Sequence, residues 1–286
     1  MNSAPITYPC LIERLAFAEA PRWHKGELWF SDFFTHRVMR VDREGRAHGV
    51  VEVAHQPSGL GWLPDGRLLV VSMIDRKLMR LDPAGLVEVA DLSALAGFHC
   101  NDMVVDAKGR AYIGNFGFDL FTQPVLPKAT VLVKVDLDGG VSVVAEDVQF
   151  PNGMVITPDG KTMILAETFA RRLTAFDIAI DGTLSNRRVW ADLDTVAPDG
   201  ICLDAECAVW VASPRSNEFI RVLEGGVITR RIPVSNQAIA CALGGEDGKR
   251  LFMVIGRVKN HDQAMATRVG RIEYVDVEVM AAAGPA

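Results

Sequence analysis

The chain contains no run of lysine or arginine longer than two residues, and its 30 basic residues are outnumbered by 36 acidic ones. The formal net charge is therefore −6, with a sequence pI of about 5.6. Nucleic acids and anionic membrane surfaces attract clustered positive charge. This absence argues against a polyanionic partner and favours a small molecule, and it leaves the oligomeric state open.

Long apolar segments are also missing. No uninterrupted run approaches the roughly 18 residues that a membrane-spanning helix needs. The opening MNSAPITYPC lacks the basic start and the apolar stretch of a signal peptide. These absences predict a cytoplasmic protein with no membrane contact. No segment shows a sustained 3.6-residue periodicity either, which argues against a helical fold.

Cysteine is scarce and scattered. The five cysteines are an odd number without a C-x-x-C pair, a pattern that argues against both a disulfide framework and a zinc knuckle. We therefore expect small buried side chains in a reducing compartment. The positions are Cys10, Cys100, Cys202, Cys207 and Cys241.

The chain contains a repeated sequence motif: a small or polar residue, about four mostly apolar residues, a turn with glycine or aspartate, and a β-rich run. The six copies are EAPRWHKGELWFSD, SGLGWLPDGRLLVVS, NDMVVDAKGRAYIGN, NGMVITPDGKTMILAE, DGICLDAECAVWVAS and AIACALGGEDGKRLFMVIG. Their first residues, which we call the anchors, are Glu19, Ser58, Asn101, Asn152, Asp199 and Ala238. A repeat length of about 40–50 residues indicates an array of similar structural units.

Each copy predicts two strands joined by a tight turn, such as Asp65-Gly66, and then a third strand, such as HRVMRVD. One small antiparallel unit cannot bury both of its faces, so six of them predict an all-β, six-bladed β-propeller. A lone strand, PCLIERLAF, precedes the first copy, and we expect it to join the C-terminal blade and close the ring. Because no linker interrupts the chain, residues 1–286 are expected to form a single domain.

The anchors are expected to converge, because the innermost strand of each blade begins at the same mouth of the central channel. Two carboxylates and two amides in a narrow channel require compensation, since an unpaired buried charge costs several kcal/mol. A divalent cation would supply it. Oxygen ligands suit Ca²⁺, Mg²⁺ or Mn²⁺, and Zn²⁺ also accepts carboxylates.

Four of these motifs together carry a family likeness: EAPRW at 19–23, NDMVVD at 101–106, PNGM at 151–154 and PDGICLD at 198–204. The chain resembles the SMP-30/gluconolactonase/luciferin-regenerating-enzyme family of six-bladed propellers over nearly its whole length. The resemblance implies that Glu19, Asn152 and Asp199 bind one divalent metal ion, with Ca²⁺ as the first expectation. It also implies lactone hydrolysis, with Asn101 contacting the substrate or lying beside the metal and Asp102 close by.

Two positions depart from the family pattern. The usual E-G-P is E-A-P in this chain, a small change at Ala20 that should leave the ligand in place. The arginine that sugar-lactone members carry two residues before the N-D asparagine is His99, which argues against a sugar substrate. We expect His99 to contact the substrate, as a hydrogen-bonding or shape-determining element or as a proton carrier.

Ester cleavage needs a polarised carbonyl, an activated water and a stabilised oxyanion. We expect Asp199 to act as the general base, with Asp102 as the next candidate, and Asn101 to orient the substrate. A serine mechanism is disfavoured because no G-x-S-x-G elbow occurs. Two alternatives stay open: a non-catalytic interaction propeller, and a metal-independent enzyme like the strictosidine-synthase-type propellers.

The loops expected around this mouth are rich in large apolar residues, namely Phe33, Phe34, Met73, Phe116, Phe118, Phe121, Phe169 and Met265. A vestibule of this kind favours a small hydrophobic lactone, such as dihydrocoumarin, because such a ring buries apolar area against it. A sugar lactone such as gluconolactone stays the alternative. The apolar residues expected to contact the substrate are Phe33, Met73, Phe116, Phe118 and Phe169.

Overall fold

The computed structural model describes residues 7–257 and 260–284. The first six residues of the opening MNSAPITYPC lie outside these ranges. Within them, 24 strands form six four-stranded antiparallel sheets, each one blade of a propeller. The predicted six-bladed, all-β architecture is confirmed.

In the first five blades the strands follow chain order from the inner to the outer edge. Blade 1 contains β2 (Ala18–His24), β3 (Glu27–Asp32), β4 (Arg37–Val41) and β5 (Ala47–Glu52). Blade 2 contains β6 (Pro57–Trp62), β7 (Leu68–Ser72), β8 (Lys77–Asp82) and β9 (Gly85–Asp91). Blade 3 contains β10 (Cys100–Val105), β11 (Ala111–Asn115), β12 (Thr130–Val135) and β13 (Val141–Val148).

The second half of the chain repeats this order until the last blade. Blade 4 contains β14 (Pro151–Ile156), β15 (Thr162–Glu167), β16 (Arg172–Ile178) and β17 (Leu184–Asp192). Blade 5 contains β18 (Ile201–Leu203), β19 (Val209–Ser213), β20 (Glu218–Val222) and β21 (Ile228–Pro233). Blade 6 contains β22 (Gln237–Gly244), β23 (Arg250–Gly256), β24 (Gly270–Asp276) and, on its outer edge, β1 (Cys10–Leu15).

The sixth blade is built from both ends of the described chain. Strand β1 runs antiparallel to β24, with Ile12 opposite Ile272 and Leu15 opposite Gly270. Each inner strand contacts the inner strand of the next blade, and β22 of blade 6 contacts β2 of blade 1. The inner strands therefore surround one central channel.

The core lies between the blades, because a blade in the middle of the ring is covered on both faces. The second strands β7 and β19 are accordingly buried along their whole length and read as apolar runs, LLVVS and VWVAS. Tight turns join the first and second strands, as expected. In one of them Gly109 has φ +82°, a left-handed conformation that a residue with a side chain rarely adopts.

One element was not predicted, and one expectation needs correction. A short helix, α1 (His261–Thr267), lies in the connection between β23 and β24, and the side chain of Asn260 caps it by accepting from the Gln263 amide. Its seven residues are too few to show a sustained periodicity. Cys10 and Cys207 are exposed, so the expectation that all five cysteines are buried is wrong for them.

The described residues include no helix with the length and apolarity to cross a membrane.

Candidate active site

Five of the six anchors occupy the same place in their blades. Glu19, Ser58, Asn101, Asn152 and Ala238 are each the second residue of an inner strand. The pairing with the neighbouring strand shifts register immediately after each of them. Such bulges re-aim side chains. The sequence repeat therefore marks a structural position at one end of the channel.

Asp199 departs from this scheme, because it lies two residues before its short inner strand β18. Its backbone amide donates to the carbonyl oxygen of Ala212 at 2.9 Å, and the amide of Gly200 donates to Ile239 of blade 6 at 2.9 Å. These bonds hold the segment against both neighbours without regular strand geometry.

A cavity of about 110 Å³ opens at this mouth. Four anchors line it, namely Glu19, Asn101, Asn152 and Asp199, and we call them the polar group. The other lining residues lie in the loops at the mouth and are predominantly apolar. They are Phe17, Phe33, Phe34, Gln56, Met73, Phe116, Leu120, Phe121 and Phe150. The structure thus brings together the three predicted metal ligands and Asn101. The aromatic side chains that line the same cavity form what we call the aromatic wall, namely Phe17, Phe33, Phe34, Phe116, Phe121 and Phe150.

Hydrogen bonds fix the orientation of the two amides in the polar group. The Asn101 Nδ2 donates to Asn152 Oδ1 at 3.2 Å, and the Asn152 Nδ2 donates to Thr168 Oγ1 at 3.2 Å. The Thr168 hydroxyl donates in turn to the carbonyl oxygen of Pro198 at 2.7 Å. The oxygen of Asn152 is thereby directed away from Thr168. This series of hydrogen bonds ends at Pro198, the residue before Asp199.

The two carboxyl groups of the polar group resist ionisation. Burial raises the pKa of Glu19 well above its ordinary value, and the nearby carboxyls of Asp199 and Asp102 raise it further. Burial also raises the pKa of Asp199. One hydrogen bond favours the charged form of Glu19, from the Ala20 amide to Oε2 at 2.6 Å. Ala20 adopts φ +48°, a left-handed conformation that suits the glycine for which it stands in.

Asp102 lies close to this group but does not line the cavity. Its Oδ1 accepts from Arg22 Nη2 at 2.7 Å and from the Met103 amide at 2.8 Å. Arg22 also donates to the carbonyl oxygen of Met103 at 2.8 Å. The carboxylate is therefore held in a buried ion pair, a position that disfavours it as the general base.

The predicted substrate-contacting residues divide into two sets. Phe33, Met73 and Phe116 line the cavity, whereas Phe118 and Phe169 do not. The Phe169 ring is 43% exposed and packs edge-on against Phe118, with ring centroids 5.5 Å apart. Phe118 is buried against Phe150. These two rings support the wall from outside.

His99 also lies behind the wall. Its ring stacks on Phe98 at 4.2 Å between centroids and contacts Phe116 and Phe121 at 6.1 and 6.0 Å. Burial lowers its pKa, which favours the neutral ring. The Nδ1 atom is buried and has no hydrogen-bond partner among the described residues. In this arrangement His99 shapes the wall and does not face the cavity.

Five residues of the site were not anticipated: Phe17, Gln56, Leu120, Phe150 and Thr168. The repeat contains a signal for three of them, because Phe17, Gln56 and Phe150 each lie two residues before an anchor. Leu120 lies in the long connection between β11 and β12, whose sequence does not follow the repeat, so no repeat position predicts it.

The matches with known proteins agree with this fold and motif pattern. A profile of the SMP-30/Gluconolactonase/LRE-like region matches residues 17–257. Pentonolactonase XacC of Haloferax volcanii is 26% identical over 277 residues, which cover 91% of this chain and 90% of that protein.

Solved structures show the same fold. The calcium-binding protein regucalcin of Agrobacterium tumefaciens has a TM-score of 0.81 at 24% identity, with 98% of this chain and 97% of that chain covered. A gluconolactonase of Xanthomonas campestris has a TM-score of 0.73 at 22% identity, with 93% and 89% covered.

Proposed function

Because the chain belongs to the SMP-30/gluconolactonase/LRE-like family, we propose that it hydrolyses a small hydrophobic lactone with the help of one divalent metal ion. The observation that carries this proposal is the cavity itself, in which two carboxylates and two amides meet beneath an aromatic wall. Lactonases among its relatives, such as the pentonolactonase of Haloferax volcanii, support the reaction class.

The polar group fits a divalent cation. Burial raises the pKa of both Glu19 and Asp199, the Asp199 carboxylate raises that of Glu19 further, and the structure shows no ion pair to either carboxylate within its described ranges. The nearby Arg22 is bound to Asp102. Among the described residues no group of three or more His, Cys, Asp or Glu side chains is placed to hold a metal ion, so the set depends on the amide oxygen of Asn152 as its third ligand.

An all-oxygen set of this kind suits Ca²⁺ first, and Mg²⁺, Mn²⁺ or Zn²⁺ next. The calcium-binding regucalcin of Agrobacterium tumefaciens supports Ca²⁺. The metal would be held by Glu19, Asn152 and Asp199, and when bound it would polarise the lactone carbonyl and stabilise the oxyanion.

The protein's own residues would supply the remaining steps. Asp199 would accept a proton from the attacking water, because its carboxylate lines the cavity and burial raises its pKa, which increases its affinity for a proton. Asn101 would hold the substrate through its Oδ1, since its Nδ2 is directed to Asn152. The aromatic wall would exclude bulk water from the ester carbon.

The wall also carries the argument for a hydrophobic substrate. Among the described loop residues that line the cavity, Gln56 is the one polar residue, so the hydroxyls of a sugar lactone would find few partners there. A ring with an aryl or alkyl body would bury on the order of 100 Å² against the wall, which is worth about 2.5 kcal/mol. That energy corresponds to nearly two powers of ten in kcat/KM if it is retained in the transition state.

Parallel assays of dihydrocoumarin and gluconolactone test both parts of the proposal. We expect a higher kcat/KM for dihydrocoumarin, loss of both activities on chelation, and recovery with Ca²⁺. A clear preference for gluconolactone would identify a sugar lactonase. Full activity in a metal-free preparation would identify a metal-independent enzyme. No metal binding and no hydrolysis of either lactone would leave a non-catalytic propeller.

A further inference from the structure

A second cavity of about 210 Å³ lies at the opposite end of the channel. It is bordered by the far ends of the inner strands, whereas the candidate active site is bordered by their beginnings. The C-terminal segment lies across it, since the Ala282 amide donates to the carbonyl oxygen of Leu203 at 3.1 Å. The proposed mechanism does not use this cavity.

Two cysteines meet in its wall. The sulfur atoms of Cys202, on β18, and Cys241, on β22, are 3.6 Å apart. Cys241 is buried and Cys202 is partly exposed, and both line the cavity. The thiols therefore touch, and Cys202 is the more exposed residue of the two.

The backbones on either side explain this proximity. Gly200 and Ala240 approach so closely that a Cβ on Gly200 would lie 2.4 Å from the Cβ of Ala240. The Gly200 amide donates to the carbonyl oxygen of Ile239 at 2.9 Å, which locks the two strands together. The contact between the cysteines is thus imposed by the packing of blade 5 on blade 6 and does not depend on a flexible loop.

We propose that Cys202 and Cys241 form a dithiol modification site that a peroxide closes to a disulfide. The Cys202 thiolate attacks a peroxide oxygen and becomes a sulfenic acid, and with hydrogen peroxide one water is released. The Cys241 sulfur then attacks the sulfenic sulfur, the S–O bond breaks, and a second water leaves. Two thiols and one peroxide give one disulfide and two waters.

The surroundings predict a slow first step. Burial raises the pKa of the Cys202 thiol, and the Cys241 thiol beside it raises it further, so little thiolate is present at neutral pH. Arg22, which lines the same cavity, acts in the opposite direction. The second step is intramolecular between atoms already in contact, so the sulfenic acid should be converted before it accumulates.

The test uses the full-length protein with the exposed Cys10 and Cys207 replaced by serine, which leaves three cysteines. After incubation with hydrogen peroxide, we expect thiol titration under denaturing conditions to fall from three groups to one. Peptide mapping should then show Cys202 linked to Cys241, and dithiothreitol should restore all three thiols. Loss of one thiol, a link to Cys100, or no loss at all under conditions that oxidise a free-thiol control would overturn the proposal.

A second reagent tests the pairing without oxidation. Phenylarsine oxide binds two adjacent thiols at once, with two As–S bonds formed and water released. We expect one arsenical per chain, and none in Cys202→Ala or Cys241→Ala. Should either variant fail to fold, blocking of iodoacetamide labelling at both cysteines by the arsenical in the parent protein decides the question; labelling that continues at either one contradicts the dithiol. These readouts do not involve lactone hydrolysis, so they are independent of the proposed function.

Discussion

Thr168 fixes the orientation of Asn152, one of the proposed metal ligands. Its hydroxyl accepts from Asn152 and donates to the carbonyl oxygen of Pro198. We expect Thr168→Val to weaken Ca²⁺ binding by about tenfold, the lower range for loss of a group that orients a ligand. Thr168→Ser keeps the hydroxyl and should bind as the parent does. Calorimetric titration measures both, and equal affinities in the two variants would rule out the orienting role.

The role of Asp199 can be separated into binding and proton transfer. In Asp199→Asn an amide oxygen can still face the cation, but the side chain no longer accepts a proton. We therefore expect part of the Ca²⁺ binding to survive while kcat falls by about 10²–10⁴ at saturating metal. The chain offers a matched control, because Asp159 stands in the same Pro-Asp-Gly motif but lies in an exposed turn. Asp159→Asn should change neither quantity.

An Asp199→Asn variant with parental kcat at saturating metal would show that another group removes the proton. Asp102, in its ion pair with Arg22, would then be the next residue to substitute.

At the scale of a single blade, Glu167 joins strands β15, β16 and β17 of blade 4 and the segment that leads into the blade. Its carboxylate, at the end of β15, accepts from Thr174 Oγ1 on β16 at 2.5 Å and from the Gln149 amide just before β14 at 2.8 Å. Arg172 on β16 and Arg187 on β17 form ion pairs with the same carboxylate, with Nη2–Oε1 distances of 2.9 and 3.1 Å. The side chain is fully buried.

This arrangement predicts a pH dependence of stability. Burial opposes ionisation of Glu167, but the hydrogen bonds from Thr174 and Gln149 and the two arginines outweigh it and lower the pKa below 4.5. Because the folded-state pKa is depressed, the contribution is fully present above pH 4.5 and is lost as the pH falls through the folded-state pKa. The free energy of unfolding should therefore decline in that acidic range.

Glu167→Gln should remove that decline and lower the free energy of unfolding at pH 7 by about 2–3 kcal/mol, since the two arginines are partly solvated. Urea denaturation at pH 7 and pH 4 measures both effects. The control is Glu44→Gln, which removes the charge from the exposed ion pair with Arg46 and should cost less than about 1 kcal/mol. Equal losses in the two variants would contradict the role assigned to Glu167.

The elements of this protein also show what sequence reasoning can reach. Every blade repeats the same hydrophobic pattern, so the strands, the turns and the anchors, including Glu19 and Asn152, could be predicted. The connection in residues 116–129 and the helix α1 occur once each, and their positions depend on contacts such as Phe34 with His261, whose rings are 5.7 Å apart. Phe118 and Phe169 were expected in the cavity because a loop sequence does not reveal which face of a ring is covered.

At the scale of the whole molecule, β1 is the strand that completes the ring. It pairs with β24, and without it the backbone groups of β24 would form an unpaired edge. We expect a chain lacking residues 1–16 to have a lower thermal midpoint and to aggregate, while one lacking only residues 1–7, which keeps the core contact of Tyr8, should behave as the parent. Differential scanning calorimetry and light scattering measure the two properties. A shortened chain lacking β1 that stays monomeric with the parental midpoint would show that ring closure does not depend on this strand.

The pairing of β1 with β24 also sets an order of events on the ribosome. The partner of Ile12, Ile272, is synthesised about 260 residues later, which is roughly 13–50 s at translation rates of 5–20 residues per second. Throughout that interval β1 has no place to dock, while the blades that follow it can form hairpins from neighbouring sequence. Its exposed Glu13 and Arg14 supply the charge that discourages a waiting strand from pairing with another nascent chain. The protein is therefore completed only when its last blade leaves the exit tunnel.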